Sequence, residues 1–281
     1  MYITTIYLQI FTEYVVIISQ NLTNMKVAIC IAGQPRKFKE GFNDIKKCIL
    51  DYNPDVKFDF FLHAWQGKEG EEYDSSNWAK GKVGKQDPST TQDLFNLYTP
   101  KAFLIQNQHE FKLPREYTRT AMQGQHIPYS MFYSVMRADY LRREYEKHYD
   151  FTYDWVFRVR YDLYLNSKIK LQDLTPDFLY LPDNIQVTSG RTHCFNDMFA
   201  FSNSKNMSVY GDTYNNIDRL YTEQNITYVQ EEIIGAQLLT NNIKILPCAF
   251  NAGLYRTTHN HFIRDQHERD VFIPSEDVYK L

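Results

Sequence analysis

The chain has 281 residues, 43% of them hydrophobic and 23% charged, with a net charge of −3 at pH 7. That balance suits a single α/β domain with a sizeable core. Acids and bases are interspersed with no basic stripe, which argues against a nucleic-acid partner. The four cysteines, Cys30, Cys48, Cys194 and Cys248, show neither a CxxC pair nor zinc-ligand spacing, so they fit a reducing, cytoplasmic setting.

Residues 1–24 are apolar and β-branched, but Glu13 interrupts them and no basic flank precedes them. They match neither a clear membrane span nor a secretory signal and are expected to be an upstream extension of a folded unit spanning 25–262: a disordered leader, a weak anchor or a misassigned start. Residues 26–32 form an unbroken apolar run closed by Gly33, as in a buried parallel strand. GQPRKF then leads into a helix near 40–51 that stops at Asn53-Pro54. A second strand is expected over 56–65, followed by a polar loop over 66–90 with Gly67, Gly70, Gly81, Gly84 and Pro88. A loop of that length suits closure over a ligand.

A short helix near 90–98 and a strand over 101–106 come next. The strongest helical period lies in 128–149, with Met131, Phe132, Val135, Met136, Leu141 and Tyr145 inward and Arg142, Arg143, Glu146 and Lys147 outward. WVFRVRYDLYL is expected to form one strand over 155–165. Strands at 178–181 and 198–202, helices near 204–219 and 229–241, and a strand over 243–250 complete the unit before a charged tail, 263–281. Strands alternating with helices imply a mainly parallel sheet flanked by helices, with ligands bound beyond the carboxyl ends of its strands.

Three strand ends collect polar residues. Gly33 permits close backbone approach and Arg36 carries a fork suited to phosphate, although a plain turn with a solvated arginine explains them equally. His63 and Trp65 end the second strand. On the fourth, Arg158, Arg160 and Asp162 alternate and are expected to share a face. A carboxylate among apolar neighbours needs a partner. Asp162 therefore either holds a divalent cation that bridges a diphosphate, or pairs internally with arginine to hold the sheet. Further on, Asp197 precedes an apolar strand and Glu231-Glu232 opens a helix. One of these three acids is the expected base, although first-turn glutamates also serve the helix dipole. Arg256, His259 and His261 form a late polar cluster from which His259 is a candidate metal ligand; solvated tail histidines are the ordinary alternative.

Taken together, KVAICIAGQPRKF, FDFFLHAW, the helix before YDWVFRVRYDLYL, NDMFAFSNSKNM and EEIIGAQLL resemble the GT-A glycosyltransferases of large algal DNA viruses and of bacterial surface-polysaccharide clusters. The resemblance runs from about Met25 to His261. It implies a Rossmann-like GT-A fold, a nucleotide-sugar donor, a glycan acceptor and Mn²⁺ or Mg²⁺. Gly33, Gln34 and Arg36 match the donor-binding first loop, and His63, Arg137 and Arg158 join the expected donor set. Arg160-Tyr161-Asp162 stands at the metal-binding Asp-x-Asp position, with Arg160 in place of the first Asp. Either Asp162 alone holds the metal, or Arg160 takes over part of the phosphate charge. Chlorovirus members that add xylose to capsid glycan have about this length, which makes UDP-xylose the expected donor, viral or surface glycan synthesis the process and the host cytoplasm its setting. Two other classes compete: a non-catalytic glycan-binding protein whose tyrosines stack on sugars, and a metal-dependent nuclease using Asp162 and Glu231, which the missing basic groove disfavours.

Overall fold

The computed structural model describes residues 25–67, 89–107, 113–120, 126–183, 194–250, 252–255 and 269–270. The leader, most of the 66–90 loop, the tail apart from Arg269–Asp270, and the Arg256, His259 and His261 cluster lie outside the described residues. In chain order the elements are β1 (Lys26–Gly33), α1 (Phe38–Ile45, continued by a π-helical turn over Lys46–Leu50), β2 (Lys57–Gln66), α2 (Thr90–Tyr98), β3 (Ala102–Asn107), α3 (His126–Tyr149) and β4 (Trp155–Val159). They continue with β5 (Leu163–Leu165), β6 (Ser167–Lys168), β7 (Leu179–Pro182), β8 (Ala200–Ser202), α4 (Ser204–Gly211), α5 (Thr213–Glu223), α6 (Gln230–Thr240), β9 (Ile245–Cys248), β10 (Ala252–Leu254) and β11 (Arg269–Asp270).

Among the described residues the central sheet has seven strands in the order β3-β2-β1-β4-β8-β7-β9. Neighbours pair in parallel except β8, which runs against both β4 and β7. The sheet is covered on both faces, and β1 shows why its sequence is apolar throughout. Val27, Ile29 and Ile31 enter a core with Ile45, Ile49, Leu94 and Tyr98 of the α1–α2 layer. Ala28, Cys30 and Ala32 enter the opposite core with Phe132, Val135 and Ala138 of α3 and with apolar residues of α4, α5 and α6. The period of two thus sorts one strand between two helical layers. This is the mainly parallel α/β sheet flanked by helices that the alternation of elements implied. No helix among the described residues is long and apolar enough to cross a membrane.

Three local expectations are corrected. The strand expected over 155–165 ends at Val159, turns at Arg160–Asp162 and resumes as β5, which pairs with β10 outside the central sheet. Helix α1 fixes that turn: a Cβ on Gly41 would overlap the Tyr161 carbonyl oxygen, and Asp44 Oδ2 accepts from the Leu165 amide at 3.0 Å. The helix expected near 204–219 is two helices, broken where Gly211 lies against the Asp139 carboxylate of α3. Neither Glu146 nor Arg142 is outward; Arg142 is fully buried. It donates to Asp139 Oδ1 through Nε (2.9 Å) and Nη2 (2.6 Å), to Glu146 Oε2 at 2.6 Å and to Ser208 of α4 at 2.7 Å. Helix α3 is packed by the sheet on one side and by α4 on another, so a one-faced helical pattern misassigned its charged stripe.

Strand order also locates the crevice. The chain leaves β1 towards β2 and β3 on one side, while β4 and the later strands lie on the other. The order reverses between β1 and β4, and such switch points open a ligand crevice at the carboxyl ends of their strands.

Candidate functional site at the β1–β4 switch point

Strand β1 closes on Gly33 at φ 123, a conformation that side chains with a Cβ rarely adopt. Gln34-Pro35-Arg36 follow, with the Arg36 amide donating to the Gln34 carbonyl at 2.8 Å. The Arg36 side chain turns back across the switch point, where its Nη2 lies 3.0 Å from Asp162 Oδ2. Arg160 grips the same carboxylate from β4's end, through Nε to Oδ1 at 2.8 Å and Nη2 to Oδ2 at 3.2 Å. Asp162 is 1% exposed and Arg36 7%. Burial works against the Arg160 charge, yet the neighbouring Asp162 charge and its hydrogen bonds hold that guanidinium above its usual range. From the other side the Tyr255 amide donates to the Asp162 carbonyl at 2.8 Å.

The expected metal role of Asp162 does not fit this arrangement. Both of its carboxylate oxygens already accept from guanidinium groups, so a cation there would sit beside two positive charges. At an effective dielectric of about 20, two unit charges roughly 4 Å apart repel by about 4 kcal/mol, and a divalent ion meets about twice that from each guanidinium. Among the described residues no group of three or more His, Cys, Asp or Glu is placed to hold a metal ion. His259, the other expected ligand, lies outside the described residues.

Arg158 does not share a strand face with Arg160 and Asp162, because those two have left the strand. It sits within β4 opposite Ala200, is 2% exposed, and donates through Nη1 to the Met198 carbonyl. Burial lowers its pKa, while Tyr210 and Asp197 oppose that effect. Asp197, on the segment entering β8, is half-buried, and its backbone carbonyl accepts from the Tyr210 hydroxyl at 3.4 Å. The Asp197 charge reaches both Arg158 and Arg160.

The structure separates the two glutamates that open α6. Burial, then the Asp197 charge, pushes the Glu231 carboxyl up to about 7, with Glu232 adding to the effect. Glu232 is 8% exposed, and its Oε2 accepts from the Thr227 amide at 2.7 Å, a bond that supports the helix start. The Asp197 charge thus acts on Glu231 as well as on Arg158 and Arg160.

His63 and Arg137 gather in a neighbouring cluster at the end of β2. His63 is fully buried, with Nδ1 2.6 Å from Ser134 Oγ and Nε2 3.0 Å from Gln106 Oε1. A neutral ring suits both contacts, with Nε2–H donating to the amide oxygen and the serine hydroxyl donating to Nδ1. Burial and the nearby Arg137 charge bring the His63 pKa down to about 4. Trp65 stacks on Tyr133 at 5.6 Å, and the Arg137 guanidinium lies 6.0 Å from the Tyr133 ring. Tyr161 joins this cluster to the Arg160–Asp162 turn by donating to the His63 carbonyl at 3.3 Å.

Sequence reasoning missed the residues that clamp the turn. Asp44 of α1 accepts from the Tyr255 hydroxyl at 2.8 Å as well as from Leu165, and Gly41 lets α1 approach the Tyr161 backbone. A lone glycine inside a helical stretch was the available cue.

A family model described as "Domain of unknown function (DUF7796)" matches residues 22–254. No curated protein matches the chain. Among solved structures, the apo-form glycosyltransferase GlyE of Streptococcus pneumoniae TIGR4 is similar to 79% of this chain at 16% identity, with a TM-score of 0.38. The chain covers 45% of that protein's length.

Proposed function

The chain belongs to the DUF7796 family, and we propose that it is a glycosyltransferase moving one sugar from a nucleoside-diphosphate donor to a glycan hydroxyl. The observation that carries this reading is the meeting of Arg36 and Arg160 on one buried carboxylate at the β1–β4 switch point. The Glu231 carboxyl, with a pKa of about 7, feels the same Asp197 charge as Arg160. Glycosyl transfer needs both features: positive charge where the diphosphate departs, and a carboxylate that takes a proton.

In the proposed reaction the acceptor oxygen bonds to the anomeric carbon as the bond from that carbon to the diphosphate oxygen breaks. The bonding pair leaves with the nucleoside diphosphate, whose charge faces Arg36 and Arg160 beside Gly33 and Gln34. The hydroxyl proton passes to Glu231, with Asp197 beside it. The sequence resemblance adds UDP-xylose as the donor and a viral or surface glycan as the acceptor, with the host cytoplasm as the setting.

A donor-hydrolysis screen tests this reading. Release of a nucleoside diphosphate from one sugar nucleotide, faster with a glycan acceptor present, is the expected result. No release from any donor, together with binding of glycan alone, would replace the transferase by a carbohydrate-binding module. Nicking of plasmid DNA would point to the nuclease instead.

A further inference from the structure

We propose that this site grips the donor diphosphate through Arg36 and Arg160 without a divalent cation, and that Asp162 is a positioning residue for the two guanidinium groups. The inference rests on the glycosyltransferase reading and adds the ionic chemistry of its donor pocket.

Three observations carry it. The Asp162 carboxylate points at arginines, which contact both of its oxygens at 2.8–3.2 Å, so its charge is already matched by guanidinium groups. Arg160 spends Nε and Nη2 on that carboxylate, and its side chain is 17% exposed. A guanidinium has five N–H groups in a fixed fork, which leaves Arg160 a further edge for a phosphate oxygen. Finally, Arg36, Arg158 and Arg160 stand against Asp162 and Asp197, a surplus of positive charge that attracts an approaching dianion and repels a divalent cation. A buried carboxylate that locks two arginines also spares the ligand the cost of ordering them.

The test is calorimetric titration of the whole chain with UDP and with GDP, once in EDTA and once in Mn²⁺ or Mg²⁺. The two dissociation constants are expected to agree within about twofold, because each phosphate hydrogen bond comes from a side chain. Arg160→Gln is expected to weaken binding by about tenfold or more in both arms. Asp162→Asn, with its fold checked by circular dichroism, is expected to weaken both arms by the same factor. The wild-type comparison between the two arms needs no variant to fold.

Binding that appears only with the cation overturns the inference while leaving the donor reading intact. Cation-dependent binding that disappears in Glu231→Gln overturns it as well, by placing the ion at Asp197 and Glu231. No nucleotide heat in either arm overturns the inference and the donor reading together.

Discussion

Arg36 of the loop after β1 and Asp162 of the turn after β4 meet at 3.0 Å with both side chains almost wholly buried. The pair ties together the two strand ends between which the sheet order reverses, so fold stability and the proposed donor binding depend on the same contact. Asp162→Ala leaves the Arg36 and Arg160 guanidinium groups without their counter-charge. Breaking a buried ion pair from one side costs about 3–5 kcal/mol, so a lowered melting temperature and lost nucleotide binding are expected together. Thermal melts and calorimetry on the same sample check this.

Glu231 and Glu232 are expected to behave oppositely on substitution. As the proposed proton acceptor Glu231 must be ionised, so transfer should rise as the pH passes upward through about 7. Glu231→Gln should remove that rise with little loss of fold. Glu232→Gln keeps an oxygen for the Thr227 amide and should leave the pH profile unchanged. Rate–pH profiles of the three proteins distinguish the two positions.

Stability should carry the same signature. The Glu231 pKa is raised from 4.5 to about 7 on folding, so between those values the folded state binds more protons than the unfolded one. The Glu231 contribution to stability is then present below pH 4.5 and is lost as the pH rises towards 7. The His63 pKa, lowered from 6.5 to about 4, works in the opposite sense, and its contribution is lost as the pH falls through that range. Denaturant midpoints from pH 4 to 8 should therefore show a steeper decline on the acid side in Glu231→Gln than in the wild type.

Gly41→Ala sets helix propensity against packing. Alanine favours a helix interior over glycine by about 1 kcal/mol, but its Cβ would overlap the Tyr161 carbonyl oxygen. Overpacking of this kind costs about 1–3 kcal/mol, and the obstacle is backbone, so sterics should win. Reduced stability and weaker nucleotide binding are expected, because α1 carries the Arg36 loop away from Asp162.

A control lies in the contact between α3 and α4. Arg142→Met strands Asp139 and Glu146, which Arg142 joins in a buried network, at a cost of about 3–5 kcal/mol. Nucleotide affinity should stay unchanged at temperatures where the variant remains folded. Melting curves and titrations below the transition check both halves.

Much of this fold is legible because β1, β2 and α3 carry long, regular apolar patterns. The end of β4 is not, because WVFRVRYDLYL contains no glycine or proline and its break is imposed by α1 and by Arg36, both distant in sequence. Arg142 was misassigned because one helical stripe cannot announce a second packed side. At the site, Arg36, Arg160 and Asp162 stood out by residue type and strand position, yet only the tertiary structure shows that the carboxylate faces arginines. Residue type alone also could not separate Glu231 from Glu232; the distinction lies in which one reaches the Thr227 amide and which one lies near Asp197.

The central claim is that a nucleoside diphosphate binds where β1 and β4 diverge. Titration of UDP and GDP into the wild type and into Arg36→Gln tests it most directly. Saturable binding of one nucleotide by the wild type, weakened by about tenfold or more in the variant, is the predicted result. Equal binding by the two folded proteins, or no binding by the wild type, would contradict it.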